Sequence, residues 1–378
     1  MPYPSLSRFS ATRPRHDVPQ TAILAWLAEA HGEAEAALQG WGPIGRDEFA
    51  LRIRNVLARC APGPERIASR GCSLDEVVRP QWDDGAIYDL RRHPHGAGTA
   101  ARATRFAELV AAYFQQAYGP DETPPQDLIH VTCTGYVSPS GAQRLVAARR
   151  WPTRVTHAYH MGCYAAMPAV RVAHGLVRAS IDADARVDIV HTELCSLHLD
   201  PADHRIEQLV VQSLFGDGFI RYTMSTDPGP GLRLLASHEQ IVPDSADAMT
   251  WVVGDHGMKM TLARDVPERI ALALPRFVAA LFRRAGRDLA ATRAAVYAVH
   301  PGGPKIIDRV GEVLELDPAQ IATSRGVLRD FGNMSSATLP HIWMRLLADP
   351  AVAPGTLIAS LAFGPGLTIC GALFEKHS

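Results

Sequence analysis

One local pattern recurs in both halves of the chain: a short apolar run, a turn containing glycine, then apolar residues at helical spacing. DLIHVTC (127–133) runs into the turn-rich TGYVSPSGAQ and a helix expected from about Gly141. VTHAY (155–159) breaks at Gly162 and is followed by Ala165, Ala166, Ala169, Val170, Ala173 and Val177. AAVYAVH (294–300) leads through PGGP into a helix expected over 305–315. An apolar strand followed by a helix that packs back on it builds layers, so the pattern predicts an α/β layered fold. No short repeat recurs, which argues against a solenoid.

The other expected helices are Thr21–Leu38, Asp47–Cys60, Thr99–Tyr118, Val266–Ala285 and a segment after GNMSS. Further strands are read at VDIVHTELC, in LFGDGFIRYTMS, at TLIASLAFG and at LTICGALFE. Residues 1–18 read as an extended arm and 62–98 as irregular chain. DPGPG (227–231) is the sharpest break, and the division between halves is placed there.

With 378 residues, 47% of them apolar, the chain can bury a large core. A net charge of −1 gives no global field for nucleic acid or an acidic membrane surface. Arg52, Arg54 and Arg59, and the pair Arg149 and Arg150, are local candidates for an anion site. The six cysteines include no C-x-x-C pair, which argues against zinc and a disulfide scaffold and for reduced thiols in a cytoplasm. The first residues lack an apolar core, and no apolar run approaches membrane-spanning length.

Three residues offer chemistry. Cys163 falls on the expected first turn of a buried helix, where backbone N–H groups favour a thiolate; it reads equally as a small core residue. His300 ends an apolar strand before a glycine turn, where α/β folds place site residues. Asn333 sits in a glycine turn before a helix, as a cap or as an amide donor. Nucleophile, imidazole and amide together suit thioester chemistry: an acyl-cysteine, then two neutral donors for the enolate oxygen of a second thioester.

The motifs GCYAA (162–166), FGDG (215–218), HPGGPKI (300–306), GNMSSA (332–337) and FGPGL (363–367) occur in the order found in the type III polyketide synthases, the chalcone synthase relatives. The chain resembles that family over roughly 120–375. The resemblance implies a thiolase-like αβαβα fold of two pseudo-symmetric halves, with the cysteine in 19–226 and the histidine and asparagine in 232–378. It implies a homodimer that works without metal or redox cofactor. Cys163 would take an acyl group from an acyl-CoA starter as a thiolate paired with imidazolium His300. His300 and Asn333 would hold the malonyl-CoA carbonyl during decarboxylation, and cyclisation to a pyrone, resorcinol or phloroglucinol would follow.

By the same resemblance Phe215 is a gatekeeper, Met260 takes the place of a second gatekeeping phenylalanine, and His198 stands where plant members carry a threonine. Gly364 and Pro365 belong to the cavity motif. His198 is bulkier than threonine and offers the cavity a hydrogen-bond donor. Arg52, Arg54, Arg59 and Lys305 are the nearest candidates for CoA contacts. YVSPSG (136–141) lacks the methionine that plant members extend into the partner's cavity. Two alternatives share the fold: a third-type ketoacyl-ACP synthase, condensing once with an acyl carrier protein, and an inactive partner subunit. A papain-like protease is disfavoured because its nucleophile lies near the mature N-terminus.

Overall fold

The computed structural model describes residues 3–378. Its strands are β1 (Ser5–Thr12), β2 (His16–Pro19), β3 (Ser69–Cys72), β4 (Asp127–Thr132), β5 (Arg154–Tyr159), β6 (Arg186–Glu193) and β7 (Gly218–Ser225). They continue with β8 (Gly231–Ile241), β9 (Met249–Gly254), β10 (Gly257–Leu262), β11 (Val296–Val299), β12 (Leu357–Gly364) and β13 (Thr368–His377). Nine of them form a mixed sheet in the order β11-β12-β13-β8-β1-β7-β6-β4-β5. Pairing is parallel between β4 and its neighbours and between β11 and β12.

Alternate residues of a strand face opposite sides of the sheet, and here that parity sorts the chain into layers. Ile129 and Val131 of β4, with Ile358 and Ala362 of β12, face a central layer made by the helices Ala166–Ala179 and Thr338–Ala348. Leu128 of β4 faces the helices Gln20–Gln39 and Thr99–Ala117 instead. Ala359, Leu361 and Phe363 of β12 face the helix Val266–Arg284 on the far side. The sheet therefore wraps a helical layer and is itself covered by helices, giving helix, sheet, helix, sheet, helix. Ala166, Ala169 and Ala173 let the central helix lie close to both sheet faces.

Three expectations change. The 1–18 segment is not a free arm: residues 1 and 2 lie outside the described residues, and Ser5–Thr12 is a strand within the large sheet, pairing with both β7 and β8. β8 and the β9–β10 hairpin were not read from the sequence, nor was the helix Ala322–Phe331. The helix expected from Asp47 starts at Pro43, where proline at the first helical position needs no amide partner. The Asp227–Gly231 break lies at the β7–β8 connection. Among the described residues, no helix is long and apolar enough to cross a membrane.

Candidate active site

β5 ends at Tyr159, and the chain turns sharply before its helix. Gly162 has φ +79°, a left-handed conformation that favours glycine. A Cβ there would run into Pro365, and one at Gly364 would run into the ring of Tyr164. Gly364 and Pro365 thus shape this turn by pressing the β12–β13 connection onto it. Cys163 follows in a turn closed by Ala165 N–H donating to the Gly162 carbonyl (3.1 Å), and the helix begins only at Ala166.

The cysteine therefore precedes the helix instead of occupying its first turn. Burial pushes its thiol up to about 12, and the nearby Glu193 carboxylate adds to the rise, against the opposing Ser335 and Asn333 side chains. Burial thus favours the neutral thiol over the expected thiolate.

Asn333 is held on both sides. Its backbone N–H donates to Leu214 O (3.0 Å), and its carbonyl accepts from Gly216 N–H (2.9 Å). Its Oδ1 accepts from the Ser335 backbone N–H at 2.9 Å and the Thr338 hydroxyl at 3.4 Å. That fixes the amide and turns Nδ2 away, where it has no hydrogen-bond partner among the described residues. Ser335 Oγ lies 4.0 Å from Cys163 Sγ.

His300 follows β11, anchored by its backbone N–H on Leu361 O (2.8 Å). It is buried, and neither ring nitrogen has a partner among the described residues. Burial pulls it down to about 3, so it too rests neutral. The glycine turn after it packs on Leu214, because a Cβ at Gly303 would meet that side chain at 3.6 Å. Leu214 also holds Asn333, and Asn333 adjoins Cys163, so residues far apart in sequence share one neighbourhood.

In front of Cys163 lies a narrow, mostly apolar cleft. Phe215, Met260 and His198 line it, as the sequence predicted. Missed residues join them: Trp251 and Met258 from the β9–β10 hairpin, Gln208, Val211 and Gln212 from the helix Ile206–Leu214, and Cys133, Thr134, Cys195, Leu199 and Ser335. The hairpin's signal was GDHG between alternating stretches, a two-residue turn. Trp251 Nε1–H ties the hairpin down by donating to Cys133 O at 2.7 Å.

His198 does not offer the donor expected of it. Nε2 lies 2.8 Å from Thr134 O, and Nδ1 accepts from Met258 N–H at 3.1 Å, which sets Nε2 as the protonated nitrogen. Both nitrogens are occupied by backbone, and burial holds the ring neutral, at about 4. Arg52, Arg54 and Arg59 are exposed on the helix Pro43–Cys60 and do not line the cleft. Lys305 is exposed at the start of the helix Pro304–Val313, just beyond the PGGP turn.

Behind Cys163 a second polar set is buried. Glu193 accepts from Cys133 N–H (3.0 Å), from the Thr134 hydroxyl (2.9 Å) and from the Ser336 hydroxyl. Ser336 Oγ lies 2.9 Å from His191 Nδ1, and His191 Nε2 lies 3.0 Å from the Tyr222 hydroxyl. Burial raises Glu193 to about 7. Among the described residues, no cluster of histidine, cysteine and carboxylate side chains is arranged to hold a metal.

Cys163 lines the cleft; His300 and Asn333 are buried but are not among its lining residues. A layered α/β fold with a buried cysteine, histidine and asparagine is the arrangement of the type III polyketide synthases. Residues 108–228 match the model of the chalcone and stilbene synthase N-terminal domain, and 233–376 match that of the C-terminal domain. The chain belongs to the chalcone and stilbene synthase family and is a polyketide synthase of the acyltransferase type. It is 30% identical over 298 residues to 1,3,6,8-tetrahydroxynaphthalene synthase of Streptomyces coelicolor, covering 78% of this chain and 75% of that one. It is also 30% identical over 270 residues to type III polyketide synthase A of Arabidopsis thaliana, covering 67% of each. The crystal structure of the Streptomyces coelicolor enzyme superposes with a TM-score of 0.77 at 26% identity, covering 99% of both chains. The type III domain of Steely1 from Dictyostelium superposes at 0.83 with 22% identity, covering 100% of both, a likeness of fold.

Proposed function

We propose that Cys163 takes an acyl group from an acyl-CoA and that malonyl-CoA extends it by decarboxylative Claisen condensation, before the chain cyclises to an aromatic or pyrone product. One observation carries this reading. His300 and Asn333 present buried nitrogens with no partner among the described residues, in the neighbourhood of a buried thiol. Buried polar groups are almost always hydrogen-bonded, so donors left open await an oxygen that arrives with the substrate.

The resting charges fit such a role. Because Cys163 is a thiol and His300 neutral, His300 accepts the thiol proton as sulfur attacks the starter thioester. The malonyl carbonyl then lies between a His300 ring N–H and Asn333 Nδ2–H, and its oxygen takes up the negative charge as CO₂ leaves. The carbanion attacks the acyl-cysteine carbonyl. The donors stabilise the enolate more than the carbonyl, as in an oxyanion hole. The protein chain supplies every acid, base and donor in these steps. We place the enzyme in the cytoplasm as a homodimer, in keeping with its open-edged sheet, where β5 has one free side among the described residues.

The test is incubation with fatty acyl-CoA starters and labelled malonyl-CoA, with mass spectrometry of protein and products. The expected outcome is an acyl adduct on Cys163 and pyrone- or resorcinol-type products. An adduct on Cys133 or Cys195 instead would overturn the nucleophile. A single condensation product formed only with acyl carrier protein would favour a ketoacyl-ACP synthase.

A further inference from the structure

Loading and extension differ in their protons. When the Cys163 thiol takes an acyl group from CoA, its proton leaves on the CoA thiol and the sum is neutral. When a malonyl carboxylate loses CO₂ and its carbanion displaces the cysteine, sulfur departs as a thiolate. One proton must then enter for every extension, to restore the thiol. The cleft walls are mostly apolar and supply no obvious path for it.

A line of polar side chains leads from that wall to the surface. Gln212 lines the cleft, and its Nε2 donates to Asp200 O at 3.2 Å. Its Oε1 is buried with no partner among the described residues, and so is Nε2 of His31, a fully buried residue whose ring neighbours the Gln212 side chain. Two adjacent buried polar atoms left open are what a single ordered water satisfies. On the other side, His31 Nδ1 faces His204 Nδ1 at 2.8 Å. Two such nitrogens in contact share one proton. His204 Nε2 reaches Glu35 Oε2 at 3.0 Å, and both of those side chains touch solvent.

We propose that Glu35, His204 and His31 relay the proton of each extension step from solvent to the cleft. This rests on the condensing reaction proposed above. A proton taken up at Glu35 passes to His204 Nε2, the Nδ1 proton of His204 passes to His31 Nδ1, and the Nε2 proton of His31 leaves through a water at Gln212 Oε1 to the Cys163 thiolate. Each ring accepts one proton as it gives up another, and both must exchange protons with water to regain their starting tautomers before the next extension. Burial holds His31 at about 3, so the ring passes a proton without storing it.

Other charges near the line are paired. Asp203, which faces His31, is bound by Arg205 (2.8 Å) and Lys259, and Glu33 on the same helix as His31 is bound by Arg46 (3.2 Å) and Arg91 (3.0 Å). The helix Pro43–Cys60 contributes Arg46 and the Phe49 ring, which lies 4.9 Å from that of His204.

The test separates the half-reactions. Acyl transfer to Cys163 is followed by protein mass. Extension is followed as CO₂ release from pre-acylated enzyme mixed with malonyl-CoA, in water and in D₂O. His31→Gln and His204→Gln should leave loading within about two-fold and slow extension by about tenfold or more, the low end of what a positioned proton donor contributes. The same variants should enlarge the D₂O effect, and added imidazole should restore extension to His204→Gly. Glu35→Gln, at the rim, should slow extension without disturbing the buried ring. Equal losses in loading and extension, or no loss in extension, would overturn the relay. A wild-type enzyme that loads but never releases CO₂ would overturn the condensing reaction, and the relay with it.

Discussion

Two polar regions, both buried, differ in one respect. Behind Cys163, Glu193, Thr134, Ser336, His191 and Tyr222 bond to one another. Asn333 Nδ2 and both nitrogens of His300, by contrast, have no partner among the described residues. An unmet buried hydrogen bond costs about 1–3 kcal/mol, so a fold keeps such groups only where something else repays them. On the function proposed above, the closed network is scaffold and the open nitrogens are the working face.

The sharpest way to break this comparison is to remove the open donors. His300→Ala and Asn333→Ala should each lower malonyl decarboxylation by about 10²–10³-fold; Asn333→Ala should also lower the melting temperature, because it takes the acceptor from the buried Ser335 N–H. A variant that keeps wild-type CO₂ release would put that residue in the scaffold.

Glu193 tests the closed side. Its carboxyl is raised from 4.5 to about 7 by burial, so the folded protein holds a proton that the unfolded chain releases. Its stabilising contribution is complete below about 4.5 and is lost as pH rises through about 7. Glu193→Gln, neutral at all pH, should flatten that slope and stabilise the protein at pH 8 by up to roughly 3 kcal/mol. An unchanged slope in urea unfolding between pH 5 and 8 would contradict it. The smallest effect is expected from Ser336→Ala, which deprives Glu193 and His191 of one partner each and should cost about 1–3 kcal/mol, with little change in loading rate.

Much of this site was legible in the sequence, and the exceptions follow a rule. Cys163, His300 and Asn333 stood out because each sits in a glycine turn at the end of an apolar run, a local signal. Phe215 and Met260 came from motif context, and the structure puts both in the cleft wall. The charge state of Cys163 was not legible. It depends on burial and on Glu193, 30 positions away in the chain. His198 looked like a free donor because its type permits one, whereas its availability is set by Thr134 and Met258. The arginines of 52–59 were chosen for charge, and their exposure on an outer helix, away from the cleft, is a matter of packing. Residue type announces what a side chain can do; only its neighbours decide whether it is free to do it.

The first strand carries a consequence for how the molecule comes into being. Ser5 pairs with Ser225 on one side and Arg233 on the other, so the opening residues are the seam between strands contributed by the two halves of the chain. On the ribosome β1 is made before either of its partners and can pair only after β7 and β8 have emerged. Until then the early strands wait with open edges, the state in which sheet proteins stick to one another. Contacts this distant in sequence also make for slow folding. A chain lacking β1 is expected to show itself first as poor recovery of protein, before any change in turnover.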